Sequence, residues 1–377
     1  MEFDLGWLLL ALPVSFALGW IGSRIDLRQW KREQKSSPKA YYKGLNLLLN
    51  EQQDKAIDAF IEAVQGDPDT TELHFALGNL FRRRGEVERA VRVHQHLMQR
   101  ADLSTIERER ALYALAQDYL KAGLLDRAEA SYRSLEGTPF DTEARLALLQ
   151  LHERSRDWRT AIDDAARLEK AGTGSFASRM AHHWCELALE ADERGAAAEA
   201  DAALTRAREI APASPRAWVQ AGQRQARLGE HAQALATWNE LRQRHPSAFS
   251  LVAADYAESA LAADAGAQAL SDLSALYANK PSLDLMRAID LLDTDPQHAG
   301  SRHAAHLAQQ PTLSAAAAVL RDAPNTSTDV LTAVERAAKP LQRYRCAACG
   351  FEAQHYFWQC PGCLSWDSYP PQPVEET

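Results

Sequence analysis

Four of the five cysteines of this 377-residue chain lie close together near its C-terminal end. They form two Cys-x-x-Cys pairs, Cys346 with Cys349 and Cys360 with Cys363, and ten residues separate the pairs. Two such loops bring four thiolates to one point in tetrahedral geometry, which is the coordination that Zn²⁺ or an iron centre requires. The sequence therefore predicts one iron or zinc ion bound by these four cysteines.

The predicted metal site is closed, because protein side chains fill all four positions and leave none for water or substrate. Its C-x-x-C-G and C-P-x-C pattern resembles rubredoxin, with the two halves closer together and with Leu364 where rubredoxins usually carry glycine. Aromatic residues flank the cysteines: Tyr356, Phe357, Trp358 and Trp366. So small a module lacks apolar surface of its own, and we expect some of these rings to dock on the rest of the protein. Residues 341–377 are thus predicted to form a small metal ribbon with a packing role.

The fifth cysteine, Cys185, lies beside His182 and His183 in a helical pattern. A second metal site is conceivable there. No further ligand accompanies the three residues, however, and a lone Cys–His cluster on a helix is more often part of the packed core. We therefore interpret Cys185 as a packing residue.

The N-terminal region carries an uncharged apolar run over residues 5–23. At about 1.5 Å per residue, a helix of this length spans about 28 Å, close to the thickness of a bilayer core. Basic residues follow the run: Arg24, Arg28, Lys31, Arg32, Lys35 and Lys39. The positive-inside rule then predicts a single-pass anchor over residues 1–23, a basic juxtamembrane segment over residues 24–36, and a cytoplasmic body. A cleaved signal peptide is the alternative, but its basic n-region and A-x-A-like cleavage site are absent.

Side chains in the middle of the chain recur with a period of 34 residues, which is the tetratricopeptide period. Two successive units align as Gly44, Ala56, Phe60, Ala63 and Pro68 with Gly78, Ala90, His94, Leu97 and Asp102. Each unit is expected to form two antiparallel helices, with glycine or alanine where the backbones approach closely. A large residue, such as Tyr132 or Trp238, is expected to fill the gap to the next unit. The pattern predicts an all-α tetratricopeptide-repeat solenoid over residues 37–281, followed by degenerate or capping helices and a linker over residues 282–340.

A solenoid of this kind exposes a concave groove lined by the first helix of each repeat. One groove-facing position carries an amide in four of six repeats: Asn79, Gln117, Gln150 and Gln223. Amides donate and accept hydrogen bonds, which suits an extended peptide backbone. Nearby groove positions carry basic residues: Arg82, Arg83, Lys121, Arg154 and Arg227. These cations favour an acidic partner segment, and the alternative is that all of these residues are ordinary solvated helix positions.

Composition and motifs exclude several classes of function. The formal net charge of -9 repels phosphate backbones, and no strong basic cluster lies outside the segment that follows the apolar run. The sequence contains no H-E-x-x-H, Walker, G-x-G-x-x-G or G-x-S-x-G motif. We therefore expect neither nucleic-acid binding nor an enzyme.

An anchor, tetratricopeptide repeats and a terminal four-cysteine module occur in this order along the chain. The most specific residues are the segments 344–351 and 358–363 around the cysteines, together with Trp366. With these residues, and with Trp30 and the basic stretch after the anchor, the whole chain resembles the lipopolysaccharide assembly protein B family of Gram-negative bacteria.

This resemblance implies an inner-membrane adaptor that regulates lipopolysaccharide synthesis. Members of the family act with the membrane protease FtsH, promote degradation of the deacetylase LpxC, and are restrained by an inner-membrane protein that senses lipopolysaccharide. A generic scaffold for another envelope complex and an iron electron carrier are the alternatives. Whether the chain forms homo-oligomers is left open by the sequence.

Overall fold

The structure, a computed structural model, describes Phe16, Trp20 and residues 42–66 and 70–377. The chain divides into two compact units, Met1–Arg156 and Asp157–Thr377. In both units, helices that follow one another along the chain pack together in pairs. The predicted all-α repeat fold with a small C-terminal four-cysteine ribbon is confirmed.

The described helices of the first unit are short and closely spaced. They are α1 (42–49), α2 (Gln53–Gly66), α3 (Thr71–Arg84), α4 (Val87–Gln99), α5 (Thr105–Lys121), α6 (Leu125–Arg133) and α7 (Asp141–Ser155). Odd-numbered helices here are the first helices of the repeats, and even-numbered helices are the second.

The second unit continues the helical pairs and ends in the ribbon. Its repeat helices are α8 (Trp158–Lys170), α9 (Ala177–Glu193), α10 (Ala197–Ile210), α11 (Arg216–Arg227), α12 (His231–Arg244), a 3-10 helix (Pro246–Val252), α13 (Ala253–Ala262) and α14 (Gly266–Asn279). The helices after them are α15 (Leu283–Leu292), α16 (Pro296–Gln309), α17 (Leu313–Asp322) and α18 (Thr328–Ala338).

Glycines in the first helix of three repeats lie directly against a ring from the second helix. The pairs are Gly44 with Phe60, Gly78 with His94 and Gly222 with Trp238. A Cβ atom at Gly78 would lie 2.5 Å from the imidazole of His94, and one at Gly222 would lie 2.2 Å from the indole of Trp238. These distances are shorter than van der Waals contact, so only glycine fits. The close approach is therefore between a backbone and a ring of the same repeat, and not between two backbones as the repeat pattern suggested.

Local signals fix the ends of the helices. α3 is followed by Gly85 in the left-handed conformation, with φ of +85°, which glycine adopts without strain. α5 begins with a capping box, in which the Ser104 hydroxyl accepts from the backbone N–H of Glu107 and the Glu107 carboxylate accepts from the backbone N–H of Ser104. These signals end α3 before the turn to α4 and start α5 as the first helix of the next repeat.

The C-terminal ribbon contains very little regular structure. Strands β1 (Tyr344–Arg345) and β2 (Glu352–Ala353) pair antiparallel, with Tyr344 opposite Ala353. A second bridge joins Gln359 to Trp366. A short 3-10 helix (Val374–Glu376) follows near the end of the chain.

The anchor predicted for residues 1–23 and the basic segment predicted for residues 24–36 lie outside the described residues, apart from Phe16 and Trp20. Among the helices of the described part, none combines the length and the apolar character needed to cross a bilayer.

Candidate functional site

The four predicted cysteine ligands meet at one point in the ribbon. The Sγ atoms of Cys346 and Cys363 are 3.8 Å apart, and those of Cys349 and Cys360 are 3.7 Å apart. All four sulfurs lie within 4.8 Å of one another. A tetrahedral metal with bonds of about 2.3 Å to sulfur requires sulfur–sulfur distances of about 3.8 Å. The observed spacing therefore fits a single tetrahedral metal ion.

Two matching turns bring the cysteines together. In the first turn, the N–H of Gly350 donates to the carbonyl of Cys346, and φ of Gly350 is +78°. In the second turn, the N–H of Leu364 donates to the carbonyl of Cys360, and φ of Leu364 is +60°. Leu364 thus adopts the left-handed backbone conformation that glycine adopts without strain. This conformation explains why rubredoxins usually carry glycine at the corresponding position.

Hydroxyl groups surround the sulfurs. The contacts are Ser368 Oγ at 3.2 Å from Cys346 Sγ, Ser365 Oγ at 3.3 Å from Cys363 Sγ, and Tyr369 Oη at 3.7 Å from Cys360 Sγ. Burial opposes a thiolate at Cys346, but hydrogen bonds from Ser368 and from the backbone outweigh it and lower the pKa of this thiol to about 6. A metal held here would have four protein ligands and a hydrogen-bonded outer shell, which is typical of a structural centre.

The ribbon docks on α9 through Trp366 and Asp367. The indole of Trp366 stacks on the imidazole of His182, with ring centroids 4.6 Å apart and planes 11° apart. Next to it, Oδ2 of Asp367 lies 2.8 Å from Nε2 of His182 and 3.2 Å from the hydroxyl of Ser178. His182 is fully buried by these contacts. The ribbon is therefore held to the repeats by a stacked ring pair and a partly buried hydrogen bond.

A second contact joins the ribbon to α11. The guanidinium of Arg216 lies 5.5 Å from the ring centroid of Trp366 and 6.0 Å from that of Trp358, within the range of cation–π attraction. The same guanidinium forms an ion pair with Glu186 of α9. Of the four rings that the sequence singled out, Trp358 and Trp366 pack against the repeat cores, whereas Tyr356 packs against Trp358 with centroids 4.9 Å apart.

Burial controls the protonation of the His182–Asp367 pair. It lowers the pKa of His182 below the ordinary 6.5, since Nδ1 has no hydrogen-bond partner among the described residues and a proton there would be buried unpaired. Burial also opposes the charge on Asp367, but hydrogen bonds from His182 and Ser178 hold the pKa of this carboxyl below its usual value. The favoured form is therefore a neutral imidazole that donates from Nε2 to the Asp367 carboxylate.

The last residues of the chain extend the docking surface. The carboxylate of Glu376 accepts from the backbone N–H of Leu283, the first residue of α15, at 3.0 Å. The carboxylate of Glu375 accepts from the backbone N–H and the hydroxyl of Ser314 in the first turn of α17. Both acids thus cap helix N-termini, where negative charge is stabilised.

A cavity of about 530 Å³ lies in the first unit among α3, α5, α6 and α7. Five of the predicted groove residues line it: Arg82, Arg83, Gln117, Lys121 and Gln150. Arg154, which the sequence also placed near the groove, lines it too. Asn79 is not part of the lining and instead accepts a hydrogen bond of 2.6 Å from Nη2 of Arg82. The structure thus brings most of the predicted groove residues of this unit to one cavity.

Gln223 belongs to a different cavity, of about 440 Å³, in the second unit. Its side chain donates to Asp255 at 3.1 Å, and acidic Asp255 and Glu258 line the cavity beside Arg227. The lining of this cavity therefore includes more acidic groups than the basic lining of the first cavity. Gln223 therefore lies in a different environment from Gln117 and Gln150.

Comparison with known proteins identifies both parts of the chain. The family described as rubredoxin metal binding domain matches residues 344–370. Lipopolysaccharide assembly protein B from Escherichia coli strain K12 is 32% identical over 97% of this chain and 97% of its own. The chain belongs to the lipopolysaccharide assembly protein B family.

Further relatives extend this comparison. Lipopolysaccharide assembly protein B from Haemophilus influenzae is 27% identical over 98% of both chains. Among solved structures, a tetratricopeptide repeat protein from Parabacteroides merdae is 16% identical and covers 68% of this chain and 99% of its own. Its TM-score of 0.37 is too low to support an argument about function.

In this member of the lipopolysaccharide assembly protein B family, Cys185 is a packing residue. Its side chain is fully buried in the core of the second unit, and burial raises its pKa to about 12. A thiol that is neutral at this depth is a poor metal ligand. Among the residues that the structure describes, only the four ribbon cysteines form a cluster with metal-ligand spacing.

Two groups of residues were missed by the sequence reasoning. Asp367 and its partner His182 lie far apart along the chain, and no spacing rule connects them. Asp118 gave a clearer signal, because it shares a helix face with the apolar Ala111, Ala114 and Leu115. An acidic residue on an apolar face indicates a buried partner, which here is His94.

Proposed function

We propose that this protein is an adaptor in lipopolysaccharide assembly that promotes degradation of the deacetylase LpxC by the membrane protease FtsH. The observation that carries the proposal is the similarity to lipopolysaccharide assembly protein B of Escherichia coli, which extends over 97% of both chains and so includes the repeats and the ribbon. Helical repeats supply extended protein-binding surfaces, and a closed four-cysteine site offers no position for substrate. These features favour a binding protein over an enzyme.

The adaptor is proposed to be a single-pass protein of the inner membrane, with its repeats and ribbon on the cytoplasmic side. The uncharged run over residues 5–23 and the basic residues that follow it support this topology. An anchor confines the repeats beside membrane-bound partners and so raises their effective concentration. FtsH and an inner-membrane lipopolysaccharide sensor are the proposed partners of this kind.

The half-life of LpxC tests the adaptor function. It is measured after synthesis is blocked, in cells that carry the protein and in cells depleted of it. We expect the half-life to lengthen on depletion. The intact gene should restore it, and a gene that lacks residues 1–23 should not. An unchanged half-life on depletion would exclude LpxC as the client and leave a scaffold for another envelope complex.

Electron transfer is a second candidate, favoured by the match of residues 344–370 to a rubredoxin metal binding domain. The metal content and colour of the purified protein separate the two functions. A colourless protein with one zinc ion supports a structural centre in an adaptor. A red protein that dithionite bleaches reversibly supports an iron electron carrier.

A further inference from the structure

The cavity among α3, α5, α6 and α7 carries an excess of positive charge. Arg83, Lys121 and Arg154 are exposed on its wall and form no ion pair among the described residues. Among the described residues that line the cavity, Glu143 is the one that is acidic. The whole chain has a formal net charge of -9, so a wall of unpaired cations is a local feature and not a consequence of composition.

A buried ion network holds a fourth cation, Arg82, at the same wall. Nη1 of Arg82 donates to Oδ1 of Asp118 at 2.8 Å and to the carbonyl of Ala114 at 3.2 Å. The other carboxylate oxygen of Asp118 contacts Nδ1 of His94, and both Asp118 and His94 are fully buried. Burying such a pair is costly, and here it fixes the position of a guanidinium that lines a cavity.

Arg82 retains donors for a ligand. Its hydrogen bonds to Asp118 and Ala114 use two protons on Nη1, and its hydrogen bond to Asn79 uses one on Nη2. A guanidinium has five N–H groups, so two are left without an acceptor in the part of the chain that the structure describes. A carboxylate that enters the cavity can accept from this preoriented arginine at little cost in side-chain entropy.

The remaining lining suits an extended backbone. Gln117 and Gln150 come from successive first helices, α5 and α7, and each amide can donate to and accept from a peptide group. Tyr113 also lines the cavity, and its ring packs against Phe140 and Tyr132 at centroid distances of 5.7 and 5.8 Å. This supported ring offers an apolar surface for a side chain that lies between two acidic ones.

We propose that this cavity binds a short, extended, acidic segment of a partner protein. Carboxylates of the segment meet Arg82, Arg83, Lys121 and Arg154, and its backbone meets the two glutamines. The inference deepens the proposed adaptor function by naming the chemistry of the partner segment. The expected ligand is a peptide and not a phosphate. A peptide backbone can both donate to and accept from the glutamine amides, whereas a phosphate only accepts.

Peptide binding to the full-length protein tests the inference. The probes are two fluorescent peptides, one in which glutamate alternates with serine and one in which glutamine replaces every glutamate. The cavity variant reverses three exposed charges: Arg83→Glu, Lys121→Glu and Arg154→Glu. The matched control variant reverses three exposed charges of the same unit that do not line the cavity: Lys55→Glu, Arg92→Glu and Arg108→Glu. Both variants change the net charge equally, so nonspecific attraction falls by the same amount.

We expect the acidic peptide to bind the unaltered protein at least about tenfold more tightly than the glutamine peptide, and its dissociation constant to rise with salt. The cavity variant should lose this preference, while the control variant keeps it. Equal binding of the two peptides, or an equal loss in both variants, would overturn the inference. So would tighter binding of a single-stranded DNA oligomer than of the acidic peptide.

The LpxC half-life separates this inference from the adaptor function. If depletion of the protein lengthens the half-life but the cavity variant restores it fully, the adaptor stands and the cavity is not its client site. If the cavity variant fails to restore it and the control variant succeeds, the acidic-segment site serves the adaptor. Helical circular dichroism of each variant confirms that it is folded.

Discussion

Asp118 is a fully buried carboxylate with one oxygen bound to His94 and the other to Arg82. Buried charges of this kind contribute little net stability as intact pairs, but removing one partner leaves the others unpaired in a medium of low polarity. The groove side of α5 could be predicted from helical periodicity. The network behind it could not, because periodicity indicates which face is buried and not how a charge on that face is paired.

The Asp118→Asn variant should therefore be strongly destabilised. We expect its free energy of unfolding to fall by about 3 kcal/mol, since the substitution removes the charge that pairs with the half-buried Arg82 and contacts the buried His94. Urea denaturation followed by helical circular dichroism measures the change. Asp126→Asn, an exposed site in the first turn of α6, is the control and should change stability by less than about 0.5 kcal/mol. Equal effects of the two substitutions would contradict a structural role for the buried network.

Leu364 shows strain at the scale of one residue. A non-glycine residue in the left-handed region costs about 1 kcal/mol, and φ of Leu364 is +60° in the second cysteine turn. The Leu364→Gly variant should relieve this strain and bind zinc several-fold more tightly. Competition with a chromophoric chelator measures the affinity.

Leu364→Ala is the control for lost side-chain contacts. Alanine shortens the side chain but keeps the same backbone cost, so its zinc affinity should not rise. A gain in affinity for alanine as large as that for glycine would show that the leucine side chain, and not its backbone angle, weakens the site.

At the scale of elements, the contact between the ribbon and α9 should depend on pH. His182 has a pKa in the folded protein below its ordinary 6.5, mainly because it is buried, and Arg216 acts in the same direction. As the pH falls, the unfolded chain therefore takes up a proton at this residue before the folded chain does. The stabilisation is full above about pH 6.5 and is lost progressively below it. Asp367, whose pKa lies below its ordinary 3.8, contributes a further loss only in more acidic solution.

Thermal unfolding at about pH 7.5 and about pH 5.5 measures this dependence. We expect the midpoint to fall on acidification, and to fall less in the His182→Gln variant, because glutamine can donate to Asp367 without titrating. His96→Gln, at an exposed position of α4 in the first unit, should leave the pH dependence unchanged. If His182→Gln leaves it unchanged too, this histidine does not carry the effect.

The existence of the ribbon contact could be predicted, but its place could not. Rings beside a module with so little core of its own must pack elsewhere, and Trp358 and Trp366 do so. The choice of α9 depends on complementarity between Trp366 and His182, which are distant in sequence. Helix pairs were easier to predict, because their contacts lie within one repeat and leave a regular pattern in the sequence.

For the whole molecule, removal of the metal should unfold the ribbon and leave the repeats folded. The ribbon has only two strands of two residues each, so a metal bound by the four cysteines would supply most of what holds its turns together. Chelation should expose Trp358 and Trp366 and shift tryptophan emission to longer wavelength. The helical circular dichroism should change little, since the repeats keep their own cores. Loss of most helical signal on chelation would mean that the metal supports the repeats as well.

The double variant Cys346→Ser and Cys349→Ser should show the emission of the chelated protein without chelator. Cys185→Ser is the matched control, because Cys185 is a buried thiol that does not belong to the four-cysteine cluster. It should respond to chelator as the unaltered protein does. A double variant that keeps the original emission would contradict the dependence of the ribbon on its metal.

The glycine–ring pairs of the repeats constrain how this chain can evolve. A methyl group added at Gly222 would collide with Trp238, and a small residue in place of Trp238 alone would leave a cavity over Gly222. Either single change lowers fitness through stability, whereas the two together exchange volume between partners and can be neutral. Such pairs should therefore covary among relatives. Repeats that carry different residues at equivalent positions can then still descend from one ancestral unit, because selection acts on the summed side-chain volume of each pair.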